Sequence, residues 1–98
     1  NVPQSNVVLQ IIPLGNTILE CLSLQEYFAK HLPCDVAYEN RSFKAKMKDA
    51  GKQEIPFVLI VGENEVASKT YALKDMKNSE QFTLSKEDCL KKIVSNLD

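Results

Sequence analysis

Ile55-Pro56-Phe57-Val58-Leu59-Ile60-Val61-Gly62-Glu63-Asn64-Glu65 is the stretch from which the architecture of this 98-residue chain can be read. Residues 57–61 are five consecutive apolar side chains, two of them Val and one Ile, opened by Pro56 and closed by Gly62. A run of that length and β-branched content reads as a strand buried on both faces, and such a strand lies inside a sheet. Gly62 permits a sharp exit, which places Glu63, Asn64 and Glu65 at the carboxyl end of the strand. In open α/β sheets that rim is where ligands bind.

The flanking segments supply the rest of the sheet. Residues 1–6 are polar around Pro3 and read as a linker or extended lead-in, leaving 7–98 as the folded domain. Val7 to Ile12 is β-rich and stops at Pro13-Leu14-Gly15, a strand followed by a turn. A helix is expected from Asn16 or Thr17 to just before Pro33, with Ile18, Cys21, Leu22, Leu24, Phe28 and Leu32 on one buried stripe. Cys34 to Tyr38 makes a short second strand, and Ser42 to about Gln53 a second helix buried through Phe43, Met47 and Ala50. Strand, helix, strand at this spacing implies right-handed parallel crossovers. After the central strand, Val66 and Ala67 suggest a single turn. Residues 69–74 and 80–84 then alternate as a hairpin, with Thr70, Ala72 and Lys74 on one side. Ser85-Lys86-Glu87-Asp88 opens a last helix through Leu97, buried through Leu90, Ile93, Val94 and Leu97. The sum is a five-stranded mixed sheet with helices on both faces.

Length and charge bound the function. Ninety-eight residues make one domain, near the size at which a single core folds without staples. Twelve basic against thirteen acidic residues give a net charge of -1, so any attraction for a polyanion must come from local clustering. Cys21, Cys34 and Cys89 are odd in number and lack a Cys-x-x-Cys pair, which suggests reduced thiols in a cytoplasmic protein and neither a disulfide framework nor zinc. No run approaches a membrane span or a signal segment. Because the first residue is Asn1, a processed chain or a fragment is expected.

Catalytic patterns are missing. His31, the one histidine, sits near the end of the first helix, where a cation is favoured, and no nucleophile is placed with it and a carboxylate. There is no phosphate-cradling glycine loop. Arg41 to Lys52 carries Arg41, Lys44, Lys46, Lys48 and Lys52 against Asp49, a local +4 in a nearly neutral chain. Lys44, Lys48 and Lys52 recur every four residues and form a ridge. One reading is a solvated face; the other is a phosphate-backbone site. The second gains from Tyr38, Glu39, Asn40, Arg41 and Ser42, which fall on the same sheet edge as Glu63 and Glu65 and can read unstacked bases by hydrogen bonds.

Two segments resemble a known family. Residues 38–50, Tyr-Glu-Asn-Arg-Ser-Phe-Lys-Ala-Lys-Met-Lys-Asp-Ala, resemble the aromatic-acid-x-Arg-Ser-x-Lys segment of the anticodon-binding domain of histidyl-tRNA synthetases. Ile55 to Val66, Lys74-Asp75-Met76 and Glu80-Gln81 are similar to the Pro-containing Gly-Glu-x-Glu strand and the hairpin of the same domain. The resemblance implies a three-layer α/β/α fold with sheet order 2-1-3-4-5 and strand 4 antiparallel. It implies Glu39, Asn40, Arg41, Ser42, Glu63 and Glu65 as RNA-binding residues, to which the lysine ridge adds Lys44 and Lys48, and neither catalytic nor metal-binding residues are expected. Two glycines usual in the family are absent, one replaced by Ser68-Lys69 and the other by Ser79, which bears on the turns.

The implied function is to position histidine tRNA, through its anticodon stem and loop, for a catalytic domain of the same chain. The domain itself would use no cofactor; the parent ligase would use ATP and Mg, act in the cytoplasm as a homodimer, and touch no membrane. Alternatives are the anticodon domain of a threonyl-, prolyl- or glycyl-tRNA synthetase, or a synthetase-like regulatory or protein-interaction domain without ligase activity. A flavodoxin-like enzyme lacks both its phosphate loop and a nucleophile.

Overall fold

A computed structural model describes residues 6–97, so the lead-in expected over residues 1–6 lies almost wholly outside the described residues. The elements in order are β1 (Leu9–Pro13), α1 (Ile18–Ala29), β2 (Cys34–Val36), α2 (Phe43–Lys52), β3 (Phe57–Val61), α3 (Glu63–Ser68), β4 (Tyr71–Asp75), β5 (Glu80–Leu84) and α4 (Lys86–Ser95). They build one sheet ordered β2-β1-β3-β4-β5. The first three strands in space are parallel, while β4 is antiparallel to both β3 and β5. This is the three-layer α/β/α arrangement expected, with β3 at its centre.

Alternation along the strands sorts the core into two layers. Leu9, Ile11, Leu59, Val61, Tyr71 and Leu73 point toward α1 and α4, where Cys21, Leu24, Phe28, Cys89 and Ile93 meet them. Ile12 and Val58 point the other way, toward Ala50 of α2, with Ala37 and Ile55 completing the layer. At about 25 cal/mol per Å² of apolar surface removed from water, a few such buried side chains outweigh any cap or ion pair in this chain.

Several expectations are corrected. Leu22, placed on the buried stripe of α1, is 43 % exposed, and Phe43 on α2 is 37 % exposed. Lys46 on the same helix is buried instead, at 8 % exposure. Val94 and Leu97 of the final segment are also exposed, and only Cys89 and Ile93 of α4 are fully buried. The single turn expected at Val66 and Ala67 is a full helix, α3, beginning at Glu63. That changes the setting of both acidic rim residues.

The two glycine replacements are accommodated by backbone strain. Lys69 ends α3 at φ 59°, and Ser79 turns the β4–β5 hairpin at φ 55°. Each occupies the left-handed region that glycine enters without a Cβ penalty.

Candidate nucleic-acid interface

The carboxyl ends of β1, β2 and β3 form one rim, because the three strands run parallel. Loop 37–42 leaves that rim from β2 and α3 starts there from β3, with β1 between them. Two interstrand spacings, roughly 9–10 Å, therefore separate the two groups of candidate residues. The acidic and amide residues beyond β3 and the start of the lysine helix share one end of the molecule.

The rim is tied together by hydrogen bonds. Leu14 N–H and the Thr17 hydroxyl both donate to the carbonyl of Val61, at 2.9 and 2.7 Å. Gly15 turns the chain at φ 73°, and a Cβ there would meet Glu63 Oε2 at 3.2 Å. That oxygen accepts the Asn16 N–H at 3.2 Å. Glu65 Oε1 in turn accepts the Gly62 N–H at 3.0 Å, back-bonding from the first turn of α3. Glu63 is exposed and Glu65 half-buried, so each carboxylate has a structural partner and still borders solvent.

On the β2 side, Ser42 caps α2 by accepting the Ala45 N–H at 3.1 Å. Glu39, Asn40, Arg41 and Ser42 are all exposed, and the Arg41 N–H donates to Glu39 O at 2.8 Å. Arg41 reaches across the first turns of α2 to pair with Asp49, the one ion pair among the described residues. Its guanidinium holds the Asp49 carboxyl below the usual carboxylate range, chiefly through that hydrogen bond. Lys44 and Lys48 are exposed, as is Lys52. At 1.5 Å rise per residue the ridge runs about 12 Å down the helix, away from the rim.

Tyr38, placed at this rim from the sequence, is 68 % exposed beside Glu39. Sequence reasoning missed an uncovered half of the sheet. On the α2 side that helix seats against β1, and Ala72, Lys74, Gln81 and Thr83 belong to neither buried cluster. The cross-strand pairs Ala72↔Thr83 and Lys74↔Gln81 put these four on one face, continued by Ile60 opposite Ala72. Gln81 and Thr83 are exposed, while Ala72, Lys74 and Ile60 are half-buried. The signal was present in the alternation of Thr70, Ala72 and Lys74, which already required one open face.

A mostly apolar cleft of about 490 Å³, lined by Gly51, Glu54, Ile55, Pro56, Met76 and Lys77, lies at the opposite end of β3. Burial pushes the Cys34 and Cys89 thiols up to about 12, which keeps them protonated and poor nucleophiles. His31 is exposed and meets Tyr27 edge-on at 6.2 Å. Among the described residues no group of His, Cys, Asp or Glu is arranged to hold a metal. No helix among them is long and apolar enough to cross a membrane.

A family profile described as "Anticodon binding domain" matches residues 9–96, which is the whole sheet with its helices. The chain belongs to that family. Among its relatives, the histidine–tRNA ligase of Syntrophomonas wolfei is 37 % identical over 98 residues, matching 96 % of this chain and 23 % of the ligase. The threonine–tRNA ligase of Campylobacter jejuni is 32 % identical over 89 residues, matching 89 % of the chain and 15 % of the ligase. The chain thus spans about a quarter or less of these relatives. A solved histidyl-tRNA synthetase from Nostoc superposes with a TM-score of 0.90 at 22 % identity, over 96 % of this chain and 23 % of that one. The anticodon binding domain fold accounts for every element described above.

Proposed function

We propose that this domain binds the anticodon stem-loop of histidine tRNA and positions it for a catalytic domain of a histidine–tRNA ligase. The observation that carries this reading is the uncovered half-sheet of Ala72, Lys74, Gln81 and Thr83, bordered by Ile60 at the edge of the α2 cluster and lying beside a helix whose outward side carries Lys44, Lys48 and Lys52. Unstacked bases need flat apolar and hydrogen-bonding surface, and their backbone needs cations. Tyr38 offers an aromatic face at the rim, Glu39, Asn40, Arg41 and Ser42 offer hydrogen-bonding groups, and Glu63 and Glu65 border the same end. With a net charge of -1, the domain attracts RNA through this local field only.

The parent protein, on this reading, is a cytoplasmic homodimer that uses ATP and Mg for aminoacylation in a part of the chain that carries those sites. The histidine assignment is supported by the ligase 37 % identical to this chain. A second reading, threonine tRNA, is favoured by the threonine–tRNA ligase at 32 %. Titrating the domain with histidine and threonine anticodon hairpins in an electrophoretic shift assay separates them. The histidine hairpin is expected to bind more tightly; tighter binding of the threonine hairpin reverses the assignment, and binding of neither refutes the RNA-binding reading.

A further inference from the structure

Arg41 differs from every lysine on α2 in already having an anionic partner. Its Nη1 donates to Asp49 Oδ2, so the pair adds no net charge to the surface, whereas Lys44, Lys48 and Lys52 stand exposed with no carboxylate within 4.0 Å among the described residues, Lys48 and Lys52 feeling Asp49 only at longer range. An RNA phosphate arriving here meets three exposed ammonium groups and one guanidinium for which it must compete with Asp49. The lysines take the phosphates on that comparison. Arg41 keeps a different capacity: a guanidinium has five N–H donors in a rigid plane, and anchoring one edge leaves the other edge fixed in orientation.

We propose that Arg41 and Asp49 form a single sequence-reading unit, in which Arg41 hydrogen-bonds a base edge and Asp49 is the positioning residue that fixes its plane. This rests on the RNA-binding reading above. The local structure supports it at both ends. The backbone at Arg41 is held by its N–H to Glu39 O and by the Ser42 cap, and Asp49 sits on the second turn of a helix. The Asp49 contact tethers the guanidinium to α2 at one end and the backbone bonds tether its Cα at the other. The Arg41 side chain is 46 % exposed, enough to reach a ligand while paired. Tyr38, three residues earlier and 68 % exposed, supplies a ring on which the same base can stack. Two adjacent acceptors in one plane, as on the N7 and O6 edge of guanine, fit the free side of such a guanidinium. A phosphate also fits this fork, through two of its oxygens, and the salt dependence of binding tells the two ligands apart.

The test measures affinity against salt for the 98-residue domain and its variants. The probes are a histidine anticodon hairpin and the same hairpin with each loop base replaced in turn. Arg41→Ala is expected to reduce the preference for the cognate loop by on the order of tenfold or more, with the slope of log affinity against log salt unchanged. Lys48→Ala should do the reverse, lowering the slope by about 0.7 and leaving the preference intact. Asp49→Asn should lose preference as Arg41→Ala does, should have no further effect in the Arg41→Ala background, and should be partly rescued by Asp49→Glu. Uniformly tighter binding of all hairpins by Asp49→Asn would overturn the proposal, because Asp49 would then only mask a phosphate-binding arginine. A slope lowered by Arg41→Ala, or a wild-type domain that binds every loop equally, would overturn it and leave RNA binding standing. A wild-type domain that binds no hairpin would overturn both.

Discussion

On one face of the sheet, α1 and α4 meet side chains from every strand, and fourteen buried residues form one cluster. On the other face α2 is the one helix, its cluster of five among the described residues drawing on β1 and β3, and β4 and β5 are left open. The same strands serve both sides, because alternate residues point to opposite faces: Leu73 is fully buried under α4 while its neighbours Ala72 and Lys74 face outward. Stability is concentrated on the covered face. The open face is thereby released from packing and can carry polar groups for a ligand.

The comparison breaks first at Phe28. Its ring is fully buried between α1 and the sheet and meets Tyr27 edge-on at 5.2 Å. Phe28→Ala should cost about 3–5 kcal/mol, a large share of the stability of a domain of this size. Urea melts followed by circular dichroism check this. A loss below 1 kcal/mol would mean that the covered face is not where the stability lies.

A smaller effect is expected where the two faces meet at the β4–β5 turn. Asp75 is buried, and its carboxylate accepts from Lys77 N–H and Asn78 N–H at 3.1 Å and from Asn78 Nδ2 at 2.9 Å. These bonds, led by the Asn78 side chain, hold its carboxyl below the ordinary Asp range. The folded state therefore binds this proton less readily than the unfolded chain. The stabilisation is complete above the unfolded value, roughly pH 4, and is lost as pH falls through the lower folded value. Asp75→Ala should cost about 1.5–3 kcal/mol at neutral pH and flatten the acid limb of stability against pH. An unchanged acid limb would show that the turn does not depend on the carboxylate.

How much of this was legible in the sequence follows from the range of the interactions involved. The central strand, the α2 cap at Ser42 and the α4 cap at Ser85 are set by neighbours within a few residues, and the structure has them where the sequence indicated. Leu22 and Phe43 fit the 3.6 period yet stay exposed, Leu22 at the flank of the stripe set by Cys21, Leu24 and Phe28, and Phe43 as the first residue of α2, at the rim. The start of α3 at Glu63 was missed because it begins at Gly62 without a side-chain cap; the bond that closes it comes back from Glu65. The open half-sheet was half-visible. Alternation showed one exposed side on β4, but strand order and the place of α2 decide whether that side faces solvent or another layer, and both are long-range facts.

The least change in stability, and the sharpest separation of the two faces, is expected at Lys74. It lies on the open side of β4, opposite Gln81 and Val58, and no carboxylate is within 4.0 Å among the described residues. Lys74→Ala leaves the cluster under α4 untouched, so its melting free energy should stay within about 0.5 kcal/mol of the wild type. If the ammonium meets one RNA phosphate, its loss lowers the salt slope by about 0.7, which is roughly a fourfold weaker affinity at 0.15 M salt. Stability by urea melt and hairpin affinity on the same preparation give both numbers. Since Leu73 one residue away should show the opposite pattern, a Lys74→Ala domain that lost stability and kept its affinity would erase the distinction between a face for folding and a face for binding.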